Sequence, residues 1–139
     1  MKSLVLDCSV VFGFHFSDEK NQYCDAVKSA LQDGCTALVP ALFVQEISNV
    51  LLVNERKGRW SFLAIRDFLG HLDGWSIHVA SHLPLIAVTS LFQLAQQHTL
   101  TTYDATYLEL ALREGVPLAT QDKALQNAAI NTGCFFTGI

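Results

Sequence analysis

The chain has 139 residues, half of them hydrophobic and 16% charged, with 13 acidic against 9 basic side chains and a formal charge of −4. That length supports one substantial core, and that composition excludes an intrinsically disordered chain, which lacks the apolar surface to fold. The acidic balance argues against broad, non-specific nucleic-acid binding, which needs a strong cationic field, but it does not exclude a nuclease, whose catalytic acids themselves lower the net charge.

Ser3-Leu4-Val5-Leu6-Asp7 is a short, continuous apolar run ending in an acid. Such runs belong to strands covered on both faces, as in a parallel sheet. A strand starting at Ser3 leaves no room for a signal peptide. No apolar stretch approaches the roughly 18 residues that span a bilayer. Cys8, Cys24, Cys35 and Cys134 include no CxxC pair and no histidine at zinc-finger spacing. The expectation is a cytoplasmic protein with reduced thiols and no membrane attachment.

Residues 20–32 read as a helix that Gly34 stops, and residues 36–39 as a second strand closed by Pro40. Residues 41–56 form a long helical candidate ended by Gly58. Its polar residues Gln45, Glu46, Ser48 and Asn49 fall within an arc of about 160° at 3.6 residues per turn. The rest of the helix as far as Val53 is apolar, which predicts burial on more than one side and favours a homodimer. Residues 61–73 suit a helix, 75–79 a third strand, and 85–98 a helix after Pro84. Residues 104–113 suit a helix with Thr101 or Thr102 as N-cap and Gly115 as its stop. Residues 117–120 give a fourth strand, 122–131 a helix and 134–137 a last strand. Strands alternating with helices predict an α/β fold with a largely parallel central sheet, in one domain spanning residues 1–139.

Ligands of open α/β sheets bind beyond the carboxyl ends of the strands. Asp7 closes the first strand, and Asp122 lies two residues past the fourth. If those strands are neighbours, a spacing of about 4.8 Å brings the two acids together. Asp104 opens a helix, and Glu46 lies on the polar stripe of an otherwise apolar one. Two carboxylates about 5 Å apart repel by roughly 3 kcal/mol at an effective dielectric near 20, so four in one pocket require a cation. Oxygen-only ligands favour Mg²⁺ or Mn²⁺, and the histidines and thiols form no coherent zinc set. A cation so held can orient and activate water against a phosphodiester. Each acid also has a plainer reading: Asp7 and Asp122 as turn or cap residues, Asp104 as a first-turn acid, Glu46 as half of an ion pair. From the residues alone, both readings stay open.

Four strings narrow the choice. Leu6-Asp7-Cys8-Ser9-Val10-Val11 resembles the opening D-x-S motif of PIN domains. Val44-Gln45-Glu46-Ile47-Ser48-Asn49-Val50-Leu51 resembles their E-x-x-N-x-L helix. Thr102-Tyr103-Asp104-Ala105-Thr106-Tyr107-Leu108-Glu109-Leu110-Ala111 resembles the Y-D-A-x-Y-x-x-L-A segment. Leu118-Ala119-Thr120-Gln121-Asp122-Lys123-Ala124-Leu125 is similar to the closing L-x-T-x-D-x-x-L. They stand in the family's order and cover the chain nearly end to end.

Within that family the chain looks most like the VapC-type toxins of toxin–antitoxin systems. The resemblance implies a PIN-like α/β/α sandwich and a Mg²⁺ site formed by Asp7, Glu46, Asp104 and Asp122. It implies endonucleolytic cleavage of RNA leaving a 5′-phosphate, and an antitoxin partner that lays a basic residue into the acidic pocket. Ser9 and Thr120 match hydroxyls that support the carboxylates, and Asn49, one turn from Glu46, would act similarly. Cys8 stands where alanine is commoner, and the run Phe12-Gly13-Phe14-His15-Phe16 departs from the usual pattern.

Arg56, Lys57, Arg59 and Arg66 surround Trp60 and put four of the nine bases within eleven residues. They suggest an RNA-binding rim with a stacking tryptophan. The plainer alternative is a solvated helix end with a half-buried ring. Other functions are a non-catalytic PIN-fold interaction module and a haloacid-dehalogenase-like phosphatase, though the latter requires a second aspartate where Ser9 stands. His15, His71, His78, His82 and His98 share no motif spacing, so histidine acid–base cleavage has little support.

Overall fold

The structure, a computed structural model, describes residues 2–138. In chain order they form β1 (Ser3–Leu6), α1 (Cys8–Val11) with a 3₁₀ turn (Phe12–Phe14), α2 (Gln22–Gln32), β2 (Thr36–Val39), α3 (Leu42–Arg56), α4 (Phe62–Leu72), β3 (Ile77–Val79), α5 (Ala87–His98), α6 (Thr102–Glu114), β4 (Leu118–Ala119) and α7 (Lys123–Asn131). Side-chain caps fix several helix starts by accepting otherwise unpaired N–H groups. Asn21 accepts from Cys24, Ser61 from Ala64, Thr101 from Asp104 and Asp122 from Leu125, all at 2.9–3.1 Å. Gly115 ends α6 at φ 65°, the left-handed conformation that lets the chain turn sharply into β4.

The sheet order is β3-β2-β1-β4, and every pairing is parallel. From β1 the chain steps to β2 and then β3 in one direction, and from β3 it crosses back to the far side of β1 to make β4. Right-handed crossovers therefore place α1 to α4 on one face and α5 to α7 on the other. The packing agrees, since α3 contacts α1 and α4 while α6 contacts α5, α7, β1 and β4. The direction of winding reverses between β1 and β4, which opens a crevice at their carboxyl ends. Leu4, Val5, Leu6, Leu108, Leu118 and Leu125 are fully buried along this seam. A separate aromatic cluster fills the α1–α4 side: Phe68 stacks on Phe12 and Phe16 and meets Trp75 edge-on.

The α/β class and the parallel sheet agree with the sequence pattern, and the differences are local. Residues 8–14 are helical, although they show no amphipathic period; Val10, Val11, Phe12 and Phe14 are all buried, so no polar face exists to mark the turn. The expected strand at residues 134–137 is reduced to one parallel bridge, Leu118 to Phe135. The reason lies in β4, which is two residues long. The backbone N–H of Thr120, the next position, donates to the Tyr23 hydroxyl at 3.3 Å instead of to a strand. On α3, Val44 and Leu52 remain exposed in the single chain. Among the described residues no helix is long and apolar enough to cross a membrane.

Phe68 is fully buried and Phe62, on the same helix, is 70% exposed. Phe68→Ala should cost about 3–5 kcal/mol in a urea titration. Phe62→Ala should stay within about 0.5 kcal/mol.

Candidate functional site

The pairing of β1 with β4 runs Val5 to Leu118 and Leu6 to Ala119, and the Asp7 N–H extends it by donating to the Ala119 carbonyl at 3.0 Å. Asp7 and Thr120 are thereby set side by side at the mouth of the crevice. Thr120 Oγ1 donates to Asp7 Oδ2 at 2.8 Å, and Ser9 Oγ donates to the same oxygen at 2.8 Å. Each hydroxyl also accepts a backbone N–H from the loop after β4: Thr120 from Asp122 at 3.0 Å and Ser9 from Gln121 at 3.0 Å. Gln121 completes the lock by donating its side-chain amide to the Ser9 carbonyl at 2.9 Å, while Asn21 donates to the Gln121 side-chain oxygen. The result is a carboxylate only 5% exposed, with one oxygen held by two hydroxyls.

The other acids arrive from three helices. Glu46 sits one turn into α3 and is half-buried; its Oε1 accepts a very short hydrogen bond from the Tyr107 hydroxyl. Asp104, in the first turn of α6, is also half-buried. Asp122 caps α7 through Oδ2, which accepts from the Leu125 N–H at 2.9 Å, and its other oxygen makes no such bond. The tightest grouping is Asp7, Cys8 and Glu46, whose ligating atoms lie within 4.8 Å of one another.

Electrostatics link all four acids. Burial pushes the Asp7 carboxyl above its ordinary value; the Thr120 and Ser9 hydroxyls pull it back, and the charge of Asp122 pushes it up again. Burial raises Glu46 as well, opposed by the Tyr107 hydrogen bond and reinforced by Asp7 and Asp104. Asp104 is raised by burial and then by Asp122 and Asp7. No base neutralises this group: the salt bridges among the described residues all lie elsewhere. A divalent cation is the natural counter-charge for such a pocket. Cys8 brings the one soft donor. In the metal-free pocket, burial and then the charges of Asp7, Glu46 and Asp104 hold its thiol well above the usual range, so the charged groups there are the carboxylates.

Ser9 and Thr120 thus both donate to the Asp7 carboxylate, whereas Asn49 is exposed and makes no side-chain hydrogen bond to any of the four acids. Two neighbours escaped the sequence reading. Tyr107 lies within a quoted motif, three residues after Asp104, and that spacing on one helix face is the signal that it belongs to the pocket. Burial and then the Glu46 carboxylate raise its phenol far above the usual range, so it acts as a donor. Cys8 reads as a size-tolerated substitution, yet its position beside Asp7 already puts a thiol at the pocket wall.

The suggested rim of bases needs correction. Trp60 is 4% exposed, stacks on Phe16 at 3.9 Å between ring centroids, and donates its indole N–H to the Asp18 carboxylate at 3.2 Å. It has no face to offer a base. Arg59 is engaged by Asp18 and Glu19, both at 2.8 Å. Arg56, Lys57 and Arg66 are exposed.

A parallel sheet of this order, with acids converging at its β1–β4 crevice, is the arrangement of a PIN domain, and the chain belongs to that family: the family model for the PIN domain matches residues 4–131. Among characterised proteins it is similar to ribonuclease VapC3 of Pyrobaculum aerophilum, with 27% identity over 122 residues, covering 88% of this chain and 91% of that protein. Among solved structures it is similar to PAE2754 from Pyrobaculum aerophilum, with a TM-score of 0.68 and 23% identity, covering 92% of this chain and 85% of that one. At that identity the likeness speaks to the fold.

Two consequences are measurable. Thr120→Val removes both the donor to Asp7 and the acceptor for the Asp122 N–H, and should cost about 1–3 kcal/mol of stability. It should also weaken divalent-ion binding by about 10–100-fold, read by calorimetry. The second concerns pH. Asp7, Glu46 and Asp104 have folded values above their ordinary 3.8, 4.5 and 3.8, so the folded state holds protons that the unfolded chain has released. Their contribution to stability is therefore greatest below those ordinary values and is lost as pH rises through the higher folded ones. In EDTA at neutral pH, Asp104→Asn should consequently melt higher than the unaltered chain. A lower melting temperature would show that the pocket does not strain the metal-free fold.

Proposed function

We propose that this single PIN domain is a metal-dependent endoribonuclease, the toxin of a toxin–antitoxin pair. In this reading it hydrolyses RNA phosphodiesters with Mg²⁺, or Mn²⁺, held by Asp7, Glu46, Asp104 and Asp122. The observation that carries the reading is the buried Asp7 carboxylate, locked on one oxygen by Ser9 and Thr120 within the field of three further acids. The similarity to a protein named ribonuclease VapC3 supports RNA as the substrate.

The residues divide the work by what their hydrogen bonds leave free. Asp7 Oδ2 is taken by the two hydroxyls, which leaves Oδ1 to face a ligand. Tyr107 holds one oxygen of Glu46, and α7 holds one oxygen of Asp122. Each of these acids thus offers a single oriented oxygen, which limits rearrangement as charge develops on the phosphate. When bound, a divalent cation supplies neutralisation of the carboxylates and Lewis acidity toward the scissile phosphate and the attacking water. In this reading water is the attacking group, and Ser9 and Thr120 serve to hold Asp7 in place. The same hydrogen bond from Ser9 weighs against a haloacid-dehalogenase-like phosphatase, which needs a carboxylic acid at that position.

The acidic pocket suits the basic side chain of a cognate antitoxin. The exposed apolar residues Val44 and Leu52 on α3, and Val88 and Phe92 on α5, suit a homodimer. RNA contact falls to Arg56 and Lys57, ten or more residues along α3 from Glu46, or at least about 15 Å at 1.5 Å per residue. We place the protein in the cytoplasm, where such RNA is found.

The test is cleavage of RNA by the purified chain with and without Mg²⁺. EDTA should abolish cleavage, and Asp104→Asn should slow it on the order of 10²-fold or more. A 2′-deoxy substitution at the scissile position should be tolerated, because metal-assisted hydrolysis does not use that hydroxyl. Cleavage that survives EDTA yet stops on 2′-deoxy substitution would replace this reading with histidine chemistry. No cleavage and no ion binding would leave the non-catalytic interaction module.

A further inference from the structure

A second polar cluster lies on the aromatic side of the molecule. His15 follows the 3₁₀ turn, and Asp67 and His71 stand four residues apart on one face of α4. One nitrogen from each imidazole and one carboxylate oxygen of Asp67 lie within 4.8 Å of one another. His15 Nε2 is 3.3 Å from Asp67 Oδ2. Ligand atoms of a tetrahedral ion with bonds near 2.1 Å stand about 3.4 Å apart, so this pair already has the separation of two ligands.

We propose that His15, Asp67 and His71 form a transition-metal site that takes a zinc-class divalent ion. The chemistry differs from that of the acid pocket: two imidazoles and one carboxylate prefer Zn²⁺, Co²⁺ or Ni²⁺ over Mg²⁺. Both histidines are already positioned. His71 Nδ1 lies 2.8 Å from the Asp67 backbone carbonyl, which can only accept. In the neutral ring this puts the proton on Nδ1 and leaves Nε2 its lone pair, the support commonly found behind a metal-binding histidine. His15 packs edge-on against Phe16 and Phe68, which restricts its ring, and is only partly exposed. His71 is exposed and opens on a surface depression lined by Leu63, Arg66, Asp67 and Gly70. The three side chains supply three donors and leave further positions for water. The ion would fasten the segment after α1 to α4.

The experiment titrates Zn²⁺ and Co²⁺ into the full chain carrying Asp7→Asn and Asp104→Asn, which disables the acid pocket. A parallel titration uses the unaltered chain in excess Mg²⁺. One equivalent should bind in both, and the Co²⁺ spectrum should lack a thiolate charge-transfer band, which sets aside the four cysteines. His71→Ala, at an exposed position, and His15→Gln should each weaken binding by at least about tenfold, since even residues behind a ligand cost that much. Zn²⁺ should also raise the melting temperature of the unaltered chain but not of His71→Ala. Failure of Zn²⁺ to bind, an affinity in either histidine variant equal to that of its parent chain, or a thiolate band would overturn the proposal. None of these results bears on RNA cleavage, so the two readings fail separately.

Discussion

The convergence of two hydroxyls on one oxygen of Asp7 is the interaction on which the rest of the candidate site depends. Ser9 comes from the turn after β1 and Thr120 from the turn after β4, so the bonds exist only because those strands are neighbours. Each hydroxyl is both donor and acceptor, and the N–H groups it accepts from Gln121 and Asp122 set the path of the loop that starts α7. One network therefore fixes a carboxylate, closes a crevice and positions a second acid. Its members are satisfied throughout, for no buried side-chain N or O among the described residues lacks a partner. That matters because a half-satisfied buried network destabilises more than an apolar one.

Such a pocket opposes the fold that contains it. Desolvation and mutual repulsion raise three of the four acids, which means that their ionised forms weaken the metal-free protein. The chain compensates with the apolar seam beneath the pocket, where Leu4, Val5, Leu6, Leu108 and Leu118 are fully buried. It also compensates locally: Tyr107 is fully buried yet directs its hydroxyl to Glu46, so an aromatic core residue supplies the hydrogen bond that a half-buried carboxylate requires. Strain concentrated at a polar cluster and offset by a well-packed support is the usual signature of a functional site.

The legible parts of this molecule are those written in local pattern. β2 at Thr36–Val39 coincides with an apolar run closed by proline, and α6 begins after Thr101 and ends at Gly115 because capping and left-handed chemistry are short-range. The four acids were visible through motif order, yet which strand lies beside β1 is a long-range fact, and their meeting depended on it. The missed elements share a different cause. Val10, Val11, Phe12 and Phe14 are all buried, so α1 and its 3₁₀ turn carry no amphipathic period. Trp60 illustrates the same limit: bases around a tryptophan look like a nucleic-acid rim, but Phe16, forty-four residues earlier, covers its face. Asp18 and Glu19 from that same distant segment take up Arg59.

Those two ion pairs reshape the electrostatic argument about substrate approach. With Arg59 neutralised, the exposed bases at the far end of α3 are Arg56 and Lys57, on a chain whose formal charge is −4. So few cations cannot gather RNA from solution by field alone, since non-specific affinity scales with the number of phosphates neutralised. Under the proposed function, recognition then has to come from shape and from contacts close to the crevice, where a bound divalent ion would offset part of the carboxylates' charge. A polyanion would meet less repulsion at the filled pocket than at the empty one. Metal occupancy would thus affect binding as well as chemistry, and the acidity that argues against a general nucleic-acid binder would make substrate engagement in the proposed function depend on the ion.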